Sequence, residues 1–352
     1  MKCSVVILNW NGEKTLRQFL PSVLEHTQLP DVEIVVADNG STDDSLDYLK
    51  TQPVRIIVLS ENYGFAGGYN HAMEQVDAEY VVLLNSDVEV TPHWLDRMLS
   101  YMDAHPNILA AQPKVLSWHS KQQYDAGEAP AIRFEHAGAA GGMMDMLGYP
   151  YCRGRLMTHV EEDHGQYDDI TPIFWATGAC MLIRTEVYKS LGGLDAKFFA
   201  HQEEIDLCWR IQTRYPIAGN RYPIAVLPQA VVYHVGGATL NYESPRKTFL
   251  NFRNNLLMLY KNLPDSELHG VMRVRAVLDY VAALKFLATG AFGDFKAVLR
   301  ARREYRRMRA GYSAERVQNL ALTVVPEIKE RSGFSILWQY YVKGKKHFSQ
   351  LK

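Results

Sequence analysis

The chain has 352 residues, 47% of them hydrophobic, enough to bury a large core as one big domain or two smaller ones. Its formal net charge of −1 conceals a split: 17 basic and 31 acidic residues precede Arg246, a balance of −14, whereas 21 and 8 follow from there, a balance of +13 that suits an anionic surface. Cys3, Cys152, Cys180 and Cys208 lack CxxC spacing, which argues against a disulfide framework or zinc finger, and no apolar run suffices for a secretory leader or a spanning helix, so reduced thiols in the cytosol are expected.

Four β-branched runs, CSVVILNW, VEIVVADN, VRIIVLSE and YVVLLNSD, read as strands buried on both faces of a parallel sheet. Helical patterns separate them at 12–27, 42–50 and 67–75, and this order predicts a doubly wound α/β sheet. Ligands of such sheets sit beyond the carboxyl ends of the strands. All four strands end in polar residues: Asn9-Trp10-Asn11, Asp38-Asn39, Glu61-Asn62 and Asn85-Ser86-Asp87. An Asp at a strand tip is also an ordinary turn or cap residue, and Pro92 opening a helix-like TPHWLDRML fits that use of Asp87.

From 121 to 171 the periodicity loosens, as in a functional excursion. A turn, a strand and a short helix follow in FWATGACMLIRTEVYKSLGGLD, then a helix starting near Gln202, then short strands at 225–227 and 230–233. After Ser244 the pattern is helical. Neither G-x-G-x-x-G nor a P-loop occurs, so a bound diphosphate would rely on a carboxylate-held divalent cation rather than a glycine cradle.

The segments SVVILNWNG, VVADNGSTDDS, NYGFAGGYNHAM, LLNSD, FFAHQEEIDLCWR and VVYHVGG resemble inverting glycosyltransferase family 2, most of all its bacterial rhamnosyltransferase-like branch, over residues 3–262. The resemblance implies a GT-A fold: a mixed sheet flanked by helices, with a nucleotide-binding part at about 1–120 and an acceptor-binding part at about 121–243. It implies Asn9, Asn11 and Asp38 near the nucleobase, and Gly68 and Asn70 near ribose or phosphate. Asp38 can equally form a turn with Asn39-Gly40-Ser41, and the glycines can serve helix–sheet packing.

Asn85-Ser86-Asp87 stands where the family has D-x-D, with Asn in the first place; Asp87 is the expected ligand of Mg²⁺ or Mn²⁺. His234, beside Gly236-Gly237, matches a further ligand position, though a His after a short strand is often merely packed. Glu204 matches the general base, with Glu203 as its rival, and Asp206 orients neighbours or pairs with Arg210. The three acids would also compensate a helix dipole. Trp175, Thr177 and Gly178 resemble the loop lining donor sugar and acceptor, and Trp175 can instead be buried against the sheet.

Residues 244–352 form a basic, helical C-terminal region. RAVLDYVAALKFLATGAF, with Leu278, Val281, Ala282 and Lys285, reads as an amphipathic helix, and the arginine-rich Arg300–Arg309 follows it. Adsorption to anionic lipid on the inner face of the cell membrane is the expectation; nucleic acid is not, since no nucleic-acid-binding motif accompanies the charge. Two functions remain: metal-dependent transfer from a nucleoside diphosphate sugar, such as dTDP-rhamnose, to a saccharide or lipid-linked acceptor, or non-catalytic sugar-nucleotide binding or scaffolding at a membrane.

Overall fold

The four β-branched runs form strands β1 (Cys3–Asn9), β2 (Val32–Asp38), β3 (Arg55–Val58) and β4 (Tyr80–Asn85) in a computed structural model that describes residues 1–216, 222–236 and 244–351. Helices α1 (Glu13–His26), α2 (Ser45–Leu49) and α3 (Gly64–Met73) connect them. α2 is shorter than predicted, because Asp43 accepts from the backbone of Glu13 and Ser45 and so holds the preceding residues in a turn. α3 starts one turn earlier than predicted, where Gly64 adopts φ +73° against Phe199.

Parallel order β3-β2-β1-β4 continues through antiparallel β12 (Cys180–Arg184) into β6 (Ala110–Ser117), β13 (Ile224–His234) and β11 (Thr171–Pro172), while β5 (Val88–Val90) pairs antiparallel with β13. The result is a nine-stranded mixed sheet with apolar cores on both faces, packed by helices that include α4 (Trp94–Ala104), α6 (Thr185–Ser190) and α7 (Glu203–Arg214). The two strands expected at 225–227 and 230–233 are one continuous β13, with a register shift between Leu227 and Val231 around Pro228. Within the loosened stretch lie α5 (Trp118–Asp125) and a second, four-stranded antiparallel sheet of β7 (Gly142–Met144), β8 (Pro150–Cys152), β9 (Arg155–Leu156) and β10 (His159–Val160).

The C-terminal region supplies α8 (Pro245–Asn262), α9 (Asp265–Ala288), α10 (Phe292–Met308) and α11 (Ser313–Ala321). Beyond α11 the chain is mostly irregular and returns to the small sheet, where Ser332 N donates to Met144 O and Ile336 N to Asp145. α9 does not sort its residues as the expected amphipathic helix would: its buried side mixes Leu268, Val271 and Ala283 with charged residues. Arg275 and Asp279 are buried, with Arg302 of α10 paired to Asp279, whereas Val277, Val281 and Leu284 are 57–64% exposed. Among the described residues no helix is long and apolar enough to cross a membrane, and all four cysteines are free and buried. Gly237 and the 243/244 boundary fall outside the described residues.

Candidate active site

Parallel pairing aligns the strand tips, so that Asn9 lies opposite Asp38. Asn9 Nδ2 donates to Asp38 Oδ2 at 3.0 Å, and Asp38 Oδ1 accepts from Ser41 N at 2.9 Å. Asp38, fully buried, thus has both oxygens engaged in the turn, while Asn9 Oδ1 is buried with no hydrogen-bond partner. Asn11, at φ +47°, braces the same corner by accepting from Thr42 N at 2.7 Å. Gly68 packs α3 onto β1: a Cβ there would lie 2.8 Å from Leu8 and 2.9 Å from Asn39. Asn70 is spent elsewhere, exchanging hydrogen bonds with the backbone of Leu194 and accepting from Tyr188.

The β4 tip is brought to β13 by a local reversal. After Asn85 the chain turns at the partly exposed Ser86, and β5 leaves the line of β4 to pair with β13, Val88 opposite His234. Val235 N donates to Asp87 O, and Asp87 Oδ1 lies 3.2 Å from His234 Nε2. Asn85 Nδ2 is 3.3 Å from the same nitrogen. Behind the ring, Glu135 Oε2 stands 3.5 Å from Nδ1. Asp87, His234 and Glu135 are each 5% exposed or less. Burial alone would lower the imidazole's pKa, but the flanking carboxylates of Asp87 and Glu135 override it and hold the ring protonated up to about 10.

This corner therefore attracts positive charge; with the Nε2 proton displaced by an incoming cation, one carboxylate plus one neutral imidazole nitrogen would be a donor set that suits Mn²⁺ or Mg²⁺. Glu135 at Nδ1 would fix the ring with Nε2 toward such an ion. Among the described residues no three His, Cys, Asp or Glu side chains are arranged to hold a metal alone, so the remaining ligands would be substrate oxygens and water. Glu135 is absent from the sequence-derived set. It lies in the aperiodic stretch, where Leu116 and Phe134 form an isolated antiparallel bridge and Glu135 N donates to Val115 O. An acid directly after a buried Phe was the only hint.

The loop 175–179 joins this corner to α7. Ala179 O accepts from Asn85 N at 2.9 Å, and a Cβ on Gly178 would sit 3.6 Å from that of Glu204. Thr177 shapes the turn, donating its backbone N–H to Gln112 and accepting from Ala179 N. The Trp175 indole is 4% exposed, lies against Gly142 and donates to Met143 O.

At the α7 N-terminus, Glu203 is 3% exposed and Glu204 reaches the surface. Each has an Oε2 without a hydrogen-bond partner. Burial raises the pKa of Glu204 to about 7; burial and then the neighbouring Glu204 charge raise Glu203 well above the carboxylate range. Asp206 differs: it is fully buried, bonded to Arg210, Lys261 and Asn262, and although burial opposes ionisation these two cations hold its pKa low. Phe199, His201 and Gln202, just before α7, all have φ between +68° and +76°. Asn254 Nδ2 spans the carbonyls of Phe198, Ala200 and His201 at 2.8–2.9 Å and clamps that strained segment.

Residues 4–192, more than half of the chain, match the family model for glycosyl transferase family 2. An N-acetylglucosaminyl-diphospho-decaprenol L-rhamnosyltransferase of Mycobacterium tuberculosis is 27% identical over 216 residues, covering 58% of this chain and 68% of that protein. Some relatives are far longer: the chain spans 26% of a Sinorhizobium fredii protein, y4gI, at 27% identity over 72% of its own length. Among solved structures, S. aureus TarS 1–349 with UDP-GlcNAc matches with a TM-score of 0.52 at 17% identity, covering 91% of this chain and 89% of that one. A Pyrobaculum calidifontis mannosyltransferase with GDP-Man and Mn²⁺ matches at 0.50 and 14% identity, covering 91% and 85%. These likenesses identify the fold as GT-A.

Proposed function

The chain belongs to glycosyl transferase family 2, and from that membership we propose an inverting transfer of a sugar, such as rhamnose from dTDP-rhamnose, to a hydroxyl of a lipid-linked saccharide in cell-surface glycan synthesis. The observation that carries this reading is a glutamate of raised pKa with a partnerless oxygen, joined through the 178–179 backbone to the Asp87–His234 corner. A non-catalytic binding protein has no need of two adjacent acids of raised pKa, each with one carboxyl oxygen left without a partner.

In this reading Glu204 Oε2 accepts the proton of the acceptor hydroxyl as that oxygen attacks the anomeric carbon. The nucleoside diphosphate departs from the opposite face. Glu203, held neutral by burial beside it, leaves Glu204 as the carboxylate that ionises near neutral pH. Asp206, locked between Arg210 and Lys261, braces the α7 N-terminus. Asp87 and His234 would hold Mn²⁺ or Mg²⁺, with Asn85 beside them, and the ion supplies positive charge against the departing diphosphate. Asn9 and Asp38, both fully buried, would brace from beneath the strand tips against which the nucleobase rests, with Asn11 fixing their edge.

The acceptor's lipid places the work at a membrane. The exposed α9 stripe of Val274, Val277, Val281 and Leu284, next to the α10 arginines, suits adsorption to the anionic inner face of the cell membrane. The decisive experiment offers dTDP-rhamnose and UDP- and GDP-sugars, with Mn²⁺, together with a prenyl-diphosphate-linked saccharide. A product of inverted anomeric configuration by NMR is expected; retention of configuration refutes the mechanism. No turnover of any donor by wild-type chain refutes the transferase reading.

A further inference from the structure

A second site lies between α8 and α10. The i, i+3, i+4, i+7 spacing puts Arg246, Phe249, Leu250 and Arg253 on one face of α8 and Gly293, Lys296, Ala297 and Arg300 on one face of α10. These faces, with Pro245 and Phe199, line a cleft of about 630 Å³ open to solvent, a volume within the range of small-ligand sites. Gly293 allows the helices to close at one end, since a Cβ there would lie 2.7 Å from Pro245.

The lining contains four cations and no acid. None of the four forms an ion pair among the described residues; the nearby Asp294 is not in the lining and accepts from Thr248. The guanidiniums are held in place by aromatic faces: Arg246 is 5.0 Å from the Phe199 ring centroid, and Arg300 and Arg253 are 4.5 and 5.2 Å from that of Phe249. Arg253 also donates to Phe198 O and thereby ties the cleft to the strained turn that leads into Glu203 and Glu204.

Arg253 is already committed to Asn254 Oδ1 and the carbonyls of Lys197 and Phe198, which leaves Arg246, Lys296 and Arg300, all exposed; together these three suit an anion of more than one charge, and arginine forks match phosphate oxygens. The apolar lining of Phe199, Phe249 and Leu250 demands hydrocarbon beside it. Phe292, 59% exposed, adjoins Gly293 on the outer side, and α9, which bears the exposed stripe up to Leu284, ends four residues before it at Ala288. We infer that this cleft binds the diphosphate of a prenyl-diphosphate-linked acceptor, with the prenyl chain leaving along α9 and the attached saccharide directed toward the α7 turn. This rests on the transferase reading and assigns its acceptor a place separate from the donor diphosphate at Asp87 and His234.

Farnesyl diphosphate serves as probe, titrated against the full chain at constant ionic strength in EDTA, where a metal-dependent donor site does not compete. Binding is expected, weakened about tenfold or more by Lys296→Glu with Arg300→Glu, and likewise though less by Arg246→Gln. All three residues are exposed at the surface, and circular dichroism checks that the variants fold. Inorganic pyrophosphate is expected to bind more weakly than farnesyl diphosphate. Equal binding of the two would overturn the prenyl component, and farnesyl diphosphate affinity unchanged by the charge reversals would overturn the site. Reversals that abolish flotation with phosphatidylglycerol vesicles yet spare farnesyl diphosphate binding would make the cleft a phospholipid headgroup site instead. Wild-type chain that binds the probe but turns over no donor refutes the transferase reading and leaves the cleft standing.

Discussion

Glu204 is where the chemistry is most exposed to test. A base of pKa about 7 is half ionised near neutrality and loses its charge below it, so kcat/KM is expected to rise with pH through that value and level off above it. Glu204→Gln keeps the shape and removes the base, and should lower kcat by about 10²- to 10⁴-fold while donor binding persists. Glu203→Gln should instead leave the ascending limb where it is, because Glu203 is already uncharged in the range where Glu204 ionises. Equal losses from both variants would assign the proton transfer to the pair rather than to Glu204. At the other end of the site, Asp87→Ala and His234→Ala should each abolish the Mn²⁺-dependent part of thermal stabilisation by the nucleoside diphosphate. Glu135→Gln should weaken it by about ten- to a hundredfold in metal affinity, the usual cost of losing a carboxylate behind a ligating imidazole. That Asp87 and His234 meet was legible because motif position marks them. Glu135 was not, because an isolated bridge between Leu116 and Phe134 leaves no periodic trace.

Elements show where local pattern suffices and where tertiary context overrides it. The β-branched strands β1 to β4 follow from sequence because burial on both faces leaves only apolar residues in them. The small sheet β7–β10 does not, since strands of two or three residues are shorter than any period that sequence can display. α9 was read as amphipathic, but the structure does not sort it that way: Asp279 turns inward to meet Arg275 and Arg302, a pairing set by α10 and invisible from α9 alone. The turn before α7 belongs to the same category: three non-glycine residues at positive φ persist because α8 supplies Asn254. Asn254→Ala leaves the carbonyls of Phe198, Ala200 and His201 without that donor and should cost about 1–3 kcal/mol by urea unfolding. Because the turn carries Glu203 and Glu204, kcat should fall more than the donor KM changes; a loss of stability with kcat intact would make the clamp purely structural.

At the scale of the whole molecule, the charge split acquires a direction. The acidic part, −14 before Arg246, builds the mixed sheet, and the +13 part builds the helices that carry both the cationic cleft and the exposed apolar stripe. Cations beside hydrocarbon favour an anionic bilayer, with each basic residue near the surface contributing on the order of 1 kcal/mol and salt screening that contribution. The two components separate by experiment. Flotation with phosphatidylglycerol vesicles should be strong at about 0.05 M salt and much weaker at about 0.5 M, where the screening length falls to a few ångströms. Val281→Asp with Leu284→Asp changes two residues already 57% and 61% exposed, so folding should be spared while flotation drops at both salt concentrations. If flotation instead ignores the α9 substitutions and vanishes with salt alone, adsorption is purely electrostatic and the stripe is covered by something other than lipid. A chain that does not float at either salt concentration would overturn the proposed adsorption to lipid.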